Sequence, residues 1–314
     1  MVSGAARSVV QPPQFGGVLR QSVKCLMKSP KQIQPLIEEG LVDEVISQLM
    51  SGKEASVYIV RCGSEVLCAK VYKEANKRGF KKAVEYQEGR KGRNTRRTRA
   101  MEKGSKFGRS QQEKAWQNAE VDALYRLAKA GVRVPKPYGC FDGVLLMELI
   151  TYDGGRVAPR LNDISMTTEL AVQDHAAVMR HVTRMLCAGV VHGDLSEFNV
   201  LVDDFGPVII DLPQAVDAAG NNNARSMLER DVNNMTAFYS QFAPELIDSN
   251  YAGEIWALYE QGKLHPEVAL TGYFEESTEA ADVDAVIQEI KAAITEEQER
   301  QKRLYEMENQ QGCS

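Results

Sequence analysis

The sequence has few cysteines and histidines and no long apolar run. Its six cysteines form no CxxC pair, and its four histidines show no spacing typical of metal ligands. This argues against a zinc site or a disulfide scaffold and favours a reducing compartment. No apolar run approaches the roughly 18 residues of a membrane-spanning helix, and the N-terminal segment lacks the apolar core of a secretory signal. We therefore expect a cytoplasmic protein that does not contact a membrane.

The composition is that of an ordinary globular protein, but the charge is unevenly distributed. The chain has 314 residues, of which 43% are hydrophobic and 26% charged, and its formal net charge is −5. Such a composition excludes wholesale disorder. The segment Lys77–Arg109 holds 13 basic and 3 acidic residues, whereas the rest of the chain carries a net charge of −15. We expect this segment either to contact nucleic acid, an acidic partner or phosphates, or to be a solvated loop.

Hydrophobic periodicity predicts a strand-rich first half and a mostly helical second half. This order differs from an alternating βαβα pattern and indicates an α+β fold with two lobes. The predicted helices are Ile33–Leu49 (interrupted near Gly40), Gln111–Ala130, Thr168–Ala188, Ser226–Phe242 and Ala280–Met307. The predicted strands are Val57–Val60, Val66–Tyr72, the hairpin Pro137–Phe141 and Val144–Glu148, and three strands within VVHGDLSEFNVLVDDFGPVIIDL.

The segment HGDLSEFN, followed by IID, carries the strongest chemical signal. Asn199 follows Asp194 by five residues, and Asp211 ends a predicted strand 17 residues after Asp194. Magnesium bound to ATP phosphates prefers oxygen ligands, and the hairpin between Asn199 and Asp211 would bring two such ligands to one edge. Asp194 can orient an attacking hydroxyl and accept its proton. The spacing therefore predicts a phosphotransfer site.

Two weaker patterns lie upstream of this segment. The segment SGKEASVY has the small residues of a phosphate-binding loop, although a single glycine is also typical of an ordinary β-turn. Lys70 lies in an apolar strand, where a buried lysine requires an anionic partner, and Glu120 on the following helix is the candidate. A Lys–Glu pair of this kind holds ATP phosphates in kinase-like sites. The alternative is an exposed lysine on an edge strand.

In this order the motifs resemble the RIO family of atypical protein kinases, most nearly its RIO1 type, over roughly Leu41–Phe242. The matching segments are SGKEASVY, CAKVYK, KAWQNAEVDALYRL, GVRVPKPYG, LLMELI, YDGGRVAPRL, HGDLSEFNVLV, VIIDLPQAV and LERDVNNMTAFY. The resemblance implies a reduced bilobal protein-kinase-like fold with a β-rich N-lobe and a compact helical C-lobe. The implied organisation is a partly disordered extension at 1–40, an N-lobe at 41–149 with a basic flexible loop at about 74–110, a C-lobe at 150–272 and an acidic helical tail at 273–314.

The resemblance also implies a role for each candidate site residue. Asp194 would be the catalytic aspartate, Lys70 would hold the ATP phosphates, and Glu120 would pair with Lys70. Asn199 and Asp211 would bind Mg²⁺ or Mn²⁺. The nucleotide would further contact the phosphate loop through Ser51, Lys53, Glu54 and Ser56. It would also contact a hinge, at Met147, Glu148 and Ile150, whose backbone groups would bind adenine.

The function implied is a serine/threonine protein kinase that transfers the γ-phosphoryl group of ATP to a protein hydroxyl, including its own, or that uses ATP hydrolysis as a conformational switch. Two alternatives stay open on the residues alone. Small-molecule phosphotransferases of the aminoglycoside or choline type share HGDxxxxN, and a ribosome- or RNA-associated binding protein could use residues 77–109. The motif SGKEASVY, the basic segment before the helix and the short chain after Asp211 favour the protein kinase.

Overall fold

The structure is a computed structural model that describes residues 8–9, 29–73 and 119–275. The chain divides into two compact units, Met1–Phe274 and Glu275–Ser314, and all described residues except Glu275 belong to the first. The predicted basic loop, most of the predicted N-terminal extension and the predicted helix Ala280–Met307 lie outside the described residues. None of the described helices is both long and apolar enough to cross a membrane.

Strands dominate the first part of the described chain and helices the second. The strands are β1 (Ser8–Val9), β2 (Glu44–Ser51), β3 (Ala55–Cys62), β4 (Glu65–Tyr72), β5 (Pro137–Phe141), β6 (Val144–Glu148), β7 (Thr151–Tyr152), β8 (Arg156–Val157), β9 (Ile164–Ser165), β10 (Val190–Val191), β11 (Val200–Asp203), β12 (Gly206–Ile209) and β13 (Val216–Asp217). The helices are α1 (Gln34–Glu38), α2 (described over 119–129), α3 (Thr168–Cys187), α4 (Ala224–Tyr239) and α5 (Tyr251–Glu260), with 3₁₀ turns at Leu161–Asp163, Glu197–Asn199 and Pro244–Leu246. The predicted α+β arrangement is confirmed.

A five-stranded antiparallel sheet in the order β2-β3-β4-β6-β5 forms the first part. Its middle strand β4 is buried from Leu67 to Tyr72, as expected for an almost continuous apolar run. The register places Lys70 opposite Val57 of β3 and Leu145 of β6. The lysine therefore lies in the central strand, and the alternative of an edge-strand lysine is wrong.

The predicted helix Ile33–Leu49 is wrong over most of its length. Only α1 is helical, and the chain leaves it through Gly40, whose φ of +72° suits glycine. The following residues form β2 and pair with β3, and this ladder shifts register twice, between Val45 and Ser47 and between Gln48 and Met50. Such bulges interrupt the alternation of a strand, which is why the apolar spacing imitated a helix.

Three helices and a hairpin form the second part. Helix α3 begins after Thr167, whose hydroxyl accepts the amide of Leu170 at 3.4 Å, and the chain turns at Gly189 with a φ of +70°. Its buried face packs against α4 and α5 in one large apolar core. This confirms the predicted helix Thr168–Ala188 to within one residue. Helix α4 is shifted by two to three residues from the prediction Ser226–Phe242.

The hairpin of β11 and β12 positions the predicted metal ligands. The two strands pair over all four residues each, from Val200 opposite Ile209 to Asp203 opposite Gly206. Asp203 stabilises the turn, because its carboxylate accepts the amides of Phe205 and Gly206 at 2.8 and 3.0 Å. The hairpin therefore returns the residues on either side of it to one edge, as the sequence predicts.

Arg133 links this hairpin to the sheet. Its guanidinium donates two hydrogen bonds to the carboxylate of Glu148, at 2.9 and 3.0 Å, and one to Asp203 at 2.8 Å. Glu148 ends β6, whereas Asp203 ends β11 and its side chain is only 3% exposed. A planar guanidinium can bind two carboxylates in fixed geometry. Arg133 therefore fixes the end of β6 against the hairpin.

We expect Arg133→Met to lower the free energy of unfolding by about 2 kcal/mol, because it removes the hydrogen-bonded ion pairs with Glu148 and with the buried Asp203 carboxylate. The matched control is Arg126→Met, which removes an exposed pair with Asp217 at 3.6 Å and should cost less than about 0.5 kcal/mol. Urea unfolding measures both values. Equal losses in the two variants would show that Arg133 contributes no more than a surface arginine.

Candidate active site

The predicted pair of Lys70 and Glu120 is present, and Asp211 joins it. Lys70 Nζ donates to Glu120 Oε1 at 2.5 Å and to Asp211 Oδ1 at 2.8 Å. The lysine side chain is 11% exposed and the Glu120 side chain 5%, whereas the Asp211 side chain is 48% exposed. One buried cation therefore connects β4, α2 and the segment after β12, and two carboxylates compensate for its burial.

The pKa values reflect this arrangement. Burial acts to lower the pKa of Lys70, but the charges of Glu120 and Asp211 and their hydrogen bonds outweigh burial, so the pKa is raised. For Asp211 burial acts to raise the pKa, and the charge and hydrogen bond of Lys70 lower it further than burial raises it. The ammonium therefore stays charged, as an anion-binding group must, and the Asp211 carboxylate stays charged, as a cation ligand must.

Tyr72 holds the other oxygen of Glu120. Its hydroxyl donates to Glu120 Oε2 at 2.7 Å, and its ring lies 5.6 Å from Lys70 Nζ. Burial and the neighbouring charge of Glu120 raise the pKa of Tyr72, so the hydroxyl keeps its proton and remains a donor. Both oxygens of Glu120 are therefore fixed by side chains of β4.

The segment predicted as a phosphate loop forms the tight connection between β2 and β3. The Gly52 amide donates to the Ala55 carbonyl at 2.9 Å, and the hydroxyls of Ser51 and Ser56 lie 3.2 Å apart. Lys73 stabilises the loop, since its ammonium donates to Ser51 Oγ at 3.0 Å and to the Gly52 carbonyl at 2.6 Å.

Two further predicted residues of this loop differ in exposure. Lys53 is exposed, and Glu54 is half-buried with its carbonyl bound by the Lys73 amide at 2.8 Å. The loop is thus a β-hairpin connection, as the alternative interpretation proposed. The small residues Ala55 and Ser56 nevertheless begin β3, which pairs with β4, the strand that contains Lys70.

The shape of the turn that carries Asp194 depends on its backbone conformation and on hydrogen bonds to His192. Gly193 has a φ of +80°, which suits glycine, and the Asp194 amide donates to His192 Nδ1 at 3.3 Å. His192 Nε2 in turn lies 3.1 Å from the Ile210 carbonyl. Asp194 itself is exposed, as a residue that accepts a proton from a substrate must be.

Asn199 is hydrogen-bonded to Asp194 and to Ile210, the residue before Asp211. Its side-chain nitrogen donates to the Asp194 carbonyl at 2.8 Å, and its own carbonyl accepts the Ile210 amide at 3.0 Å. Because the nitrogen is used in this way, the amide oxygen is the atom suited to a cation. An amide oxygen and the Asp211 carboxylate are hard oxygen ligands of the kind that Mg²⁺ prefers, so this donor set fits the predicted metal.

Asp231 stabilises the same turn, and the sequence analysis assigned it no role. Its carboxylate accepts the Gly193 amide at 2.7 Å and the Leu195 amide at 2.9 Å. Burial raises its pKa to about 6, although the charge of His192 and the two amide bonds act in the opposite direction. The only sequence signal for this role was an aspartate within the predicted helical segment LERDVNNMTAFY, and nothing in the sequence indicated which amides it binds.

The three predicted hinge residues make different contacts. Met147 lines a cleft together with Leu124, Leu145 and Leu212, and Lys70, Glu120 and Asp211 form its polar side. The Glu148 side chain binds Arg133, and its amide donates to the Lys136 carbonyl at 2.8 Å. The Ile150 carbonyl accepts the Ala158 amide at 2.9 Å.

The cleft, the shared lysine and the exposed aspartate beside it are the features of a kinase-like phosphotransfer site, and comparison with known proteins identifies its type. The family model described as the RIO domain matches residues 56–252, which is more than half of the chain. The chain belongs to the RIO family, and the predicted resemblance is confirmed.

Named relatives agree with this assignment. The chain is 34% identical over 208 residues to the RIO-type serine/threonine-protein kinase Rio1 of Haloferax volcanii, covering 66% of this chain and 67% of the relative. It is 30% identical over 206 residues to the serine/threonine-protein kinase RIO1 of Homo sapiens, covering 65% of this chain but only 34% of the relative. The match to the Encephalitozoon cuniculi relative, a probable RIO1 homolog, covers 57% of that protein.

A solved structure shows the same fold. The Rio2 kinase of Chaetomium thermophilum, in an ADP/Mg²⁺-phosphoaspartate complex, aligns with a TM-score of 0.52 and 20% identity, over 83% of this chain and 75% of that chain. This likeness confirms the reduced kinase-like fold, with a β-sheet N-lobe and a helical C-lobe.

We expect Asp231→Asn to lower the free energy of unfolding by about 1–3 kcal/mol, because the amide cannot accept both backbone amides. A native pKa raised to about 6 means that the native state holds a proton between about pH 4 and 6 that the unfolded state releases. The advantage of the wild type over the variant should therefore be largest near pH 4 and should shrink as the pH rises through 6.

The matched control is Asp217→Asn. Asp217 also accepts two backbone amides, from Ala219 at 3.1 Å and Gly220 at 2.9 Å, but its side chain is 50% exposed, so the loss should stay below about 1 kcal/mol. Urea unfolding at about pH 4.5 and pH 7.5 measures both variants. An advantage of Asp231 that grows with pH would contradict a raised pKa.

Proposed function

We propose that the chain is a Mg-ATP-dependent serine/threonine protein kinase of the RIO1 type, which transfers the γ-phosphoryl group of ATP to a protein hydroxyl. The observation that carries the proposal is the sharing of the buried Lys70 between Glu120 and Asp211. The turn of Asp194 is hydrogen-bonded to Ile210, the residue before Asp211. The names of the archaeal and human relatives, both serine/threonine-protein kinases, support the proposal.

Lys70 would bind the ATP phosphates. On nucleotide binding its ammonium would keep Glu120 and exchange Asp211 for phosphate oxygens, since both partners are anionic acceptors. Asp211, released from Lys70, and the amide oxygen of Asn199 would then hold Mg²⁺ or Mn²⁺. When bound, such an ion neutralises charge on the phosphate oxygens. Glu120 would be the permanent partner that keeps the lysine in place.

Asp194 would orient the acceptor hydroxyl and accept its proton. The hydroxyl oxygen forms a bond to the γ-phosphorus, the bond from the γ-phosphorus to the bridging oxygen breaks, and ADP leaves. Ser51, Lys53, Glu54 and Ser56 would border the phosphates. Backbone groups near Met147, Glu148 and Ile150 would bind adenine.

The substrate would be a protein that offers a hydroxyl group, as the names of the kinase relatives suggest. The basic segment 77–109 would supply ribosomal, RNA or other phosphate contacts. The protein would act in the cytoplasm. This is supported by the free thiols of all four cysteines among the described residues, namely Cys62, Cys68, Cys140 and Cys187.

The proposal predicts that the purified protein incubated with γ-labelled ATP and Mg²⁺ transfers label to itself. We expect Asp194→Ala and Asp211→Ala to lower this labelling at least about 100-fold, since one removes the base and the other a metal ligand. Asp248→Ala, which removes an exposed aspartate, is the control and should label as the wild type does. Released phosphate without labelled protein would favour an ATPase switch, and label retained in both site variants would contradict the proposal.

Tyr72→Phe tests how far the geometry of Glu120 matters. Losing the hydrogen bond of 2.7 Å to Glu120 should lower kcat/KM for ATP about tenfold, because a hydrogen bond to a charged group contributes about 1.5–3 kcal/mol. The control Tyr58→Phe removes a hydroxyl from the neighbouring strand β3 and should change kcat/KM less than about twofold. Steady-state kinetics measure both, and equal values would show that Glu120 needs no support from Tyr72.

A further inference from the structure

One cation beside the cleft has no role in the mechanism above. Arg160 is half-buried and directly precedes the 3₁₀ turn Leu161–Asp163. Its Nη2 lies 3.1 Å from the thioether sulfur of Met50, next to Ser51 at the end of β2. A thioether is a weak acceptor, and no carboxylate among the described residues forms an ion pair with Arg160 within 4 Å. The contact with Met50 therefore does not account for a guanidinium at this position.

The backbone around Arg160 is firmly held. Arg160 forms a β-bridge with Leu201 of β11, and the carbonyl of its neighbour Pro159 accepts the Val202 amide at 3.0 Å. Leu161 is fully buried. Because the chain is fixed on both sides of Arg160, the guanidinium is presented from a rigid base.

Its position relative to the cleft is equally defined. The turn Leu161–Asp163 packs against the turn Glu197–Asn199, which contains the predicted metal ligand Asn199. On the other side, Arg160 reaches the strand that leads into the phosphate loop. Arg160 thus lies between the phosphate loop and the catalytic turn, whereas Lys70 lies deeper in the cleft.

We propose that Arg160 binds the γ-phosphoryl group of ATP. The proposal rests on the function proposed above and adds a ligand for the one phosphate that must lie nearest to Asp194. Guanidinium groups bind phosphate oxygens through two parallel hydrogen bonds and neutralise charge that builds up during transfer. Lys70 and Arg160 would thereby divide the triphosphate, with Lys70 on the inner phosphates and Arg160 on the transferred one.

The test compares a triphosphate with a diphosphate. The affinities of the β,γ-imido analogue of ATP and of ADP, each with Mg²⁺, are measured by calorimetry for the wild type, Arg160→Met and Arg160→Lys. We expect Arg160→Met to weaken binding of the triphosphate about tenfold or more and to change ADP binding less than about twofold. Arg160→Lys should fall between, because it keeps the charge but loses the planar fork.

The matched control is Arg156→Met, four residues earlier, which removes an exposed arginine paired with Asp153 and stacked on the Tyr152 ring. It should bind both nucleotides as the wild type does. Bound ADP also shows that each variant is folded. Equal losses for the two nucleotides would assign Arg160 a structural role and overturn the proposal, as would no loss in Arg160→Met. A wild type that binds neither nucleotide would overturn the proposed function as well.

Discussion

A buried lysine in the central strand of a sheet is the constraint on which this site depends. An ammonium removed from water is costly unless anions surround it, and Lys70 has two carboxylates within hydrogen-bonding distance. Because Glu120 comes from α2 and Asp211 from the segment after β12, satisfying one charge brings three distant parts of the chain together. The Asp211 carboxylate is the more exposed of the two, so it is the partner that an incoming phosphate can replace.

The second half of the site is fixed by backbone hydrogen bonds. Asp231 holds the amides on either side of Asp194, and His192 links the same turn to Ile210. Asp231 belongs to α4, whereas Lys70 belongs to β4 of the sheet and Glu120 to α2. The cleft therefore lies where this charged cluster meets a turn that is held by backbone hydrogen bonds. Arg133, which binds Glu148 and Asp203, connects the end of β6 to the β11–β12 hairpin.

The sequence was sufficient for the parts of the site that follow from local patterns. Lys70 lies in an apolar strand, so its charge required an anionic partner. The hairpin between Asn199 and Asp211 was predictable from the turn residues between two apolar runs. Strand β2 was missed because two bulges disturb its alternation. Asp231 and Arg160 contact groups 38 and 110 residues away, and such partners depend on tertiary packing that periodicity does not encode. Glu148 was expected only at the hinge backbone, whereas its side chain forms an ion pair.

The most direct test is a crystal structure of the protein with a non-hydrolysable ATP analogue and Mg²⁺. The account predicts that Lys70 Nζ keeps Glu120 and contacts phosphate oxygens in place of Asp211, while Asp211 and the amide oxygen of Asn199 contact the metal ion. It further predicts that the backbone of the Asp194 turn keeps its bonds to Asp231. A nucleotide bound away from Lys70, or a Lys70–Asp211 bond retained beside it with no metal on Asp211, would contradict the account.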